Sequence, residues 1–598
     1  MAEQKFPNPS EVEGPDGVEG WEELYPYSVS FGEARREYED DRFWFWDSMH
    51  WGKALTPWDS TFMEMAIASL SQMNSRHYRI PPAEGIDFRV LYGYAFLSPV
   101  GVDPDKIEAR IPQFTERAGH YFMNWDQLYE DWLVKVKSTI DEISSLDFAP
   151  LPEIEDLSVV TEGLGVGSGY HLMSEYNRFK DLIHKTWNYH FEFLNLGYAA
   201  YLDFFGFCKE AFPSIPDLGI AKMVAGVEVD LFRPNEELKV LAQMAVDLGI
   251  ARAFDDPNNV ALEGDAGAEW QAAWDVAKDP WFNFTSGNGF YHFDKTWRDY
   301  PEIPYAYVRD YITKIEAGAD ITRPIEAITA ERDRIVGEYR DLLGTDEDRE
   351  AFDSKLGLAR VVFPYVENHN FYIEHWTMSV IWRKVKELGA TLATDGLMSA
   401  DDDIMFLRRD EVNEVLWDYY SNWAVNAPTA SAHHWGPKIE RRREIHQKLL
   451  AWSPPKALGA PPEVITEPFT IMLWGITSES VNNWLGADES DDGSLTGMAA
   501  SPGTVEGLAR LVFDPEDLAD VLDGEILVAP ITAPSWAPVF PKIQACVTDI
   551  GGMMSHAAIV CREYGVPAVT GTGFGTNKIK TGDRIRVDGS AGTVTILE

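Results

Sequence analysis

Thr548-Asp549-Ile550-Gly551-Gly552-Met553-Met554-Ser555-His556-Ala557-Ala558-Ile559-Val560 is the stretch on which the reading of this chain turns. Residues 544–547, ahead of it, have the character of a strand end, and 556–564 reads as a helix that begins at the histidine. Ser555 stands where the N-cap of that helix belongs. Gly551-Gly552 supplies a turn that can take positive φ and expose backbone N–H groups. A histidine at a helix N-terminus is discouraged from carrying a positive charge, because the dipole lowers its pKa and keeps a ring nitrogen free. The same N-terminus favours an anion once that nitrogen carries a phosphoryl group. The local chemistry suits a nucleophilic histidine that is phosphorylated and then discharged. A lone histidine in such a place is more often a structural residue capping its own helix, so the choice falls to its surroundings.

Those surroundings follow the pattern Thr-x-x-Gly-Gly-x-x-Ser-His-Ala-Ala-Ile, met at Thr548, Gly551, Gly552, Ser555, His556, Ala557, Ala558 and Ile559 and continued through 562–569 (Arg-Glu-Tyr-Gly-Val-Pro-Ala-Val). This resembles the phosphohistidine signature of the phosphoenolpyruvate-utilising (dikinase) family; Cys561 departs from it, standing where alanine is usual. The resemblance implies a swivelling β/β/α phosphohistidine domain over 497–598, opening at 500–510 (Ala-Ser-Pro-Gly-Thr-Val-Glu-Gly-Leu-Ala-Arg), with His556 as the catalytic residue. It implies further that the hydroxyls of Thr548 and Ser555 and the backbone N–H groups around Gly551 and Gly552 hold the phosphoryl oxygens, with Arg562 neutralising charge.

At 598 residues the chain is too long for a single core, and two to four domains are expected. A formal net charge of -46 argues against nucleic acid and against an anionic membrane surface as partners. It also requires that any phosphate-handling site be locally cationic. Three widely spaced cysteines exclude a disulfide framework and a cysteine zinc site, and no metal site is expected in this chain. Residues 1–24 carry no signal-peptide pattern and no apolar run spans a bilayer, so a cytoplasmic protein is expected.

The expected fold class is multidomain α+β. Residues 1–24 read as a flexible arm, 25–485 as a mainly helical acceptor-substrate domain, 486–496 as a linker and 497–598 as the phosphohistidine domain. Within the second of these, 88–96 has strand composition. Leu128, Trp132, Val136, Ile140 and Ile143 form one apolar helical stripe. Residues 170–210, 234–256 and 322–345 read as helices and 257–305 as irregular. Strands are expected near 508–513 and 525–529, and a hairpin over 584–587 and 593–596.

The block 357–412 resembles the acceptor-binding domain of rifampin phosphotransferase and of the histidine-bearing subunit of phenylphosphate synthase. The family's ATP-grasp domain and metal-bearing barrel are not found in the sequence. The resemblance therefore implies a separate ATP-grasp subunit that binds ATP and Mg2+ and charges His556, followed by transfer to the hydroxyl of a phenolic, lignin-type compound. A rifamycin-like antibiotic as acceptor, and a non-enzymatic phosphocarrier relay, are the alternatives. Candidate groups for the acceptor site are His369, Glu367 and Arg383, with His50 and Lys438 behind them. Residues 433–446 form the most basic patch of the chain, a solvated helix face or a site for an anion.

Overall fold

The structure is a computed structural model in which residues 5–465, 467–485 and 494–597 are described. Short strands rich in Val, Ile and Ala build an eight-stranded sheet in the order Ser494–Thr496, Thr593–Ile596, Arg584–Asp588, Thr504–Leu511, Ile526–Ala529, Ala545–Thr548, Ala568–Thr570, Met498–Ser501. The expected hairpin is present, with Val587 opposite Val594. The four strands from Thr504–Leu511 to Ala568–Thr570 run parallel. Ile526–Ala529 and Ala545–Thr548 are buried at every position, as strands covered on both faces must be. Helix His556–Tyr564 is the crossover between the parallel strands Ala545–Thr548 and Ala568–Thr570. His556 thus lies beyond the carboxyl end of a parallel strand, where open α/β sheets place their ligands.

The preceding part is mainly helical. Its spine is Ser168–Ala211, 44 residues and therefore about 66 Å long, packed along Asp346–His369. Helix Trp125–Ser145 buries Trp132, Val136, Ile140 and Ile143, four of the five residues of the stripe read from the sequence; the fifth, Leu128, is half-buried. The apolar run 88–96 is divided between two strands, Ala83–Leu91 and Tyr94–Gly101. Tyr92 and Gly93 both have positive φ (48° and 85°), the conformation of a tight hairpin turn. Trp44–Trp46 and Ala457–Leu458 complete a four-stranded sheet.

Three expectations need correction. Residues 5–24 are packed rather than loose: Phe6, Val18, Trp21 and Leu24 are buried, and the Phe6 N–H donates to the Gly459 carbonyl. The stretch 257–305 contains the helix Gly264–Trp281, whose Trp270 and Trp274 are buried. Residues 486–493 of the expected linker lie outside the described residues, and its last three form the strand Ser494–Thr496.

The sheet domain is docked on the helical part. Lys53 pairs with Asp514, Lys542 with Asp310, and Lys295 with Glu516 at 3.0 Å. Ser535 Oγ donates to the Ser286 carbonyl at 2.6 Å, and the Gly226 N–H donates to Glu563 Oε1 at 3.1 Å. No helix among the described residues is long and apolar enough to cross a membrane.

Candidate active site

His556 opens its helix, with Ser555 at the N-cap in extended conformation (φ -69°, ψ 154°). It is the only residue from Gly551 through Cys561 that is not fully buried, and its exposed part faces a cavity. Its Nδ1 lies 3.0 Å from Thr532 Oγ1, while Nε2 makes no hydrogen bond among the described residues. Burial takes its pKa down to about 3, so the ring is neutral at physiological pH. In the tautomer whose Nδ1–H donates to Thr532, the lone pair sits on Nε2, the arrangement a nucleophilic imidazole requires.

The loop before it is fastened differently from what the sequence suggests. Gly551 has φ 129°, and a Cβ there would meet Ser555 Oγ at 2.7 Å, so glycine is required. Its N–H and those of Gly552 and Met554 donate to the carbonyls of Trp474, Leu473 and Met472. These amides, expected to hold phosphoryl oxygens, are therefore occupied by a covering segment of the helical part. Ser555 Oγ donates to the Gly552 carbonyl and Thr548 Oγ1 to the Ile550 carbonyl, both at 2.8 Å. Arg562 is likewise committed, donating to the carbonyls of Ala500 (3.1 Å) and Met553 (2.9 Å). In this docked arrangement Thr548, Ser555 and Arg562 shape the loop rather than face the cavity with free donors.

The cavity holds about 150 Å³ and its walls are largely apolar: Ile67, Leu70, Trp187, Phe191, Phe290 and Trp474 among them. Into it come His50, His369 and Glu367, three of the five residues expected at an acceptor site, together with His556. The other two are elsewhere. Arg383 donates to Asn283 Oδ1 at 2.7 Å and pairs with Asp299 at 3.3 Å. Lys438 is exposed, 2.8 Å from His434 Nε2 and over the Trp435 ring. The basic patch around it is neutralised within the chain, Arg442 by Glu411 and Arg443 by Asp402 and Asp403. No lysine or arginine among the described residues lines the cavity, so the cationic lining expected for a phosphate-handling site is not supplied by side chains.

His50 Nδ1 lies 2.9 Å from the fully buried Asp47 carboxylate, which also accepts from Trp474 Nε1 at 2.9 Å. Burial opposes a charge on His50, but Asp47 outweighs it and holds the pKa above the ordinary value. The pairing leaves Nε2 of His50 as a base whose orientation is fixed from behind. Burial, with a contribution from Glu563, pushes Glu367 up to about 8.

Two members of the site were missed in the sequence. His190, midway along the long helix, places Nε2 2.8 Å from Glu374 Oε1, and His369 Nε2 lies 3.9 Å from the same oxygen. His190 was hidden among the aromatics of a helix that reads as core. Glu374 and His369 are five residues apart, a spacing that an α-helix turns to different faces. The segment Asn370–Thr377 is a π-helix, whose i→i+5 bonding brings residues five apart into line. Thr532 was also missed; it stood in a proline-rich turn with no pattern linking it to the histidine 24 residues on.

Residues 521–592 match the family described as PEP-utilising enzyme, mobile domain. The chain is 24% identical over 579 residues to chondramide synthase of Chondromyces crocatus, which covers 94% of this chain and 14% of that protein. It is 32% identical over 206 residues to the rifampicin phosphotransferase of Streptomyces sviceus (34% of this chain, 20% of that protein). Over 102 residues it is 50% identical to a probable phosphoenolpyruvate synthase of Staphylothermus marinus (17% and 12%). The chain thus spans a fifth or less of the length of these three relatives. The family match and the histidine motif it contains identify residues 521–592 as a PEP-utilising enzyme mobile domain, and the relatives are in keeping with the PEP-utilising (dikinase) family.

Proposed function

We propose that this chain is the phosphoryl-transferring component of a dikinase-type enzyme, and that its acceptor is a small phenol. The observation that carries the reading is that His556 lines the same aromatic-walled cavity as His50, whose Nδ1 is held by Asp47. A phosphoryl group on His556 Nε2 meets a hydroxyl bound there. The N–P bond breaks, the O–P bond forms, and the hydroxyl proton passes to His50 Nε2 while Asp47 steadies the imidazolium. The protein's contribution is position and the exclusion of water.

Cavity size supports a single ring as the acceptor. A cavity of about 150 Å³ is known to hold benzene, whereas drug-sized ligands occupy roughly 300–1,000 Å³. A rifamycin-sized acceptor exceeds the space that the docked arrangement leaves. His556 is closed off while docked, so charging it requires the sheet domain to move away. The phosphodonor is taken to be ATP with Mg2+, handled by an ATP-grasp subunit.

The test is a single-turnover experiment that needs no partner. The chain is charged with phosphoramidate, a small chemical donor to histidine, freed of excess donor and mixed with a panel of phenols, while phosphorus NMR follows the phosphohistidine signal. Its discharge into an aryl phosphate, absent in His556→Ala, is the expected result. A phosphohistidine that forms and remains unaffected by every phenol favours a protein relay and overturns the acceptor assignment. No phosphohistidine at residue 556 overturns the whole reading.

A further inference from the structure

We propose that His190, His369 and Glu374 form a binding site for one divalent transition-metal ion of the zinc class. The three ligand atoms lie within 4.8 Å of one another. Glu374 Oε1 is 2.8 Å from His190 Nε2 and 3.9 Å from His369 Nε2. Two atoms that share a tetrahedral zinc at about 2.0–2.1 Å lie roughly 3.4 Å apart; the two separations from Glu374 bracket that value, and the group as a whole, spread over 4.8 Å, closes slightly on the ion. The imidazoles are edge-on to each other rather than stacked, centroids 4.6 Å apart with planes at 86°. The three residues come from the middle of one long helix, the end of a second and a π-helical turn, so the group is a convergence of separate elements.

A second observation calls for a cation here. The Glu374 carboxylate lines the cavity, and no lysine or arginine among the described residues does. A carboxylate in an apolar enclosure is stabilised by a cation close to it. Two imidazoles and a carboxylate suit zinc, iron, nickel or copper, whereas magnesium and calcium favour oxygen ligands. Two histidines and a glutamate also constitute a zinc set that keeps a position open. That position faces the space shared with His556, where, on the function proposed above, an acceptor or phosphoryl oxygen would occupy it.

The site is tested on the full chain without any phosphodonor. Protein stripped with a chelator is titrated with Co2+ in excess Mg2+, which occupies the acidic surface. Metal content after dialysis against Zn2+ gives the stoichiometry. Expected are one tightly held ion per chain and the intense visible absorption of a low-coordinate nitrogen–oxygen cobalt site, displaced by Zn2+. Glu374→Gln and His369→Gln should each weaken binding by more than the roughly 10–100-fold that loss of a partner behind a metal ligand costs, with their circular dichroism unchanged. The weak spectrum of all-oxygen cobalt in the unaltered chain, absence of a stoichiometric ion, or undiminished affinity in both folded variants overturns the proposal. An ion that binds while phenols still fail to discharge phosphohistidine leaves the site standing and removes the acceptor reading instead.

Discussion

Acid should loosen the domain that carries His556, and the size of the effect follows from its burial. The ring titrates near 6.5 when free and near 3 in the docked domain. Above pH 6.5 both forms are neutral and the group contributes no pH dependence. Below it, the opened form takes up a proton that the closed form refuses, and stability falls by about 1.4 kcal/mol per pH unit until about pH 3. At pH 5.0, 1.5 units below the free value, the loss is about 2 kcal/mol. His556→Gln removes the titration while keeping an amide that can meet Thr532. The other buried histidines with the same depression, His190, His369 and His375, are common to both chains; burial dominates all three, with a smaller contribution from His556 at His375 alone. Hydrogen exchange of the Ala545–Thr548 amides reports the opening of this domain rather than of the whole chain. Between pH 7.5 and 5.0, the unaltered chain should lose about 2 kcal/mol more protection than His556→Gln. Parallel losses, equal within about 0.5 kcal/mol, would show that the histidine is not kept neutral by its surroundings.

Thr532→Val removes the hydroxyl that fixes Nδ1; transfer from phosphohistidine should slow on the order of 10²-fold, measured by single-turnover quench, with the overall fold retained by circular dichroism. Phe290→Ala enlarges the cavity at a cost of about 3–5 kcal/mol, and ortho-substituted phenols too bulky for the parent should become acceptors in the phosphorus NMR assay. Gly475 has φ 71° and a Cβ there would lie 2.5 Å from the Gly551 carbonyl oxygen. Gly475→Ala should therefore lift the covering segment off the histidine loop, and the amides of Gly551 and Gly552 should exchange faster by at least 10-fold, equivalent to about 1.4 kcal/mol.

What could be read from the sequence was what depends on local pattern. The strand–turn–helix around His556, the stripe on Trp125–Ser145 and the C-terminal hairpin each declare themselves through spacing, caps and turn residues within about 20 positions. His50 and His369 could be named as acceptor-site candidates because His50 stands beside tryptophans and His369 near the start of the polar–aromatic run 367–376, and both reach the cavity. Arg383 and Lys438 were attractive only as cations in an acidic chain. Whether a cation is free depends on neighbours such as Asn283, Asp299 and His434, and sequence spacing does not reveal these. His190 and Glu374 escaped for a related reason: one looks like core on a helix rich in aromatics, and the other reaches the site through a π-helical turn that the 3.6-residue period does not anticipate. Residues 5–24, rich in Pro, Gly and acid, read as loose because the apolar anchors Phe6, Trp21 and Leu24 are too sparse to show a period.

On the function proposed above, Met472, Leu473 and Trp474 bear on the direction in which phosphorus would move. A carrier arriving with a charged imidazole must surrender its loop amides to these three carbonyls in order to seat itself. Any donors that steadied the negative oxygens in open solution are then engaged elsewhere, and only the first turn of the helix itself still points N–H groups outward. Seating thus makes the loaded imidazole a poorer resting place for the anion at the moment an alternative oxygen comes within reach, and the spent carrier, with no anion to accommodate, fits the seat better than the loaded one.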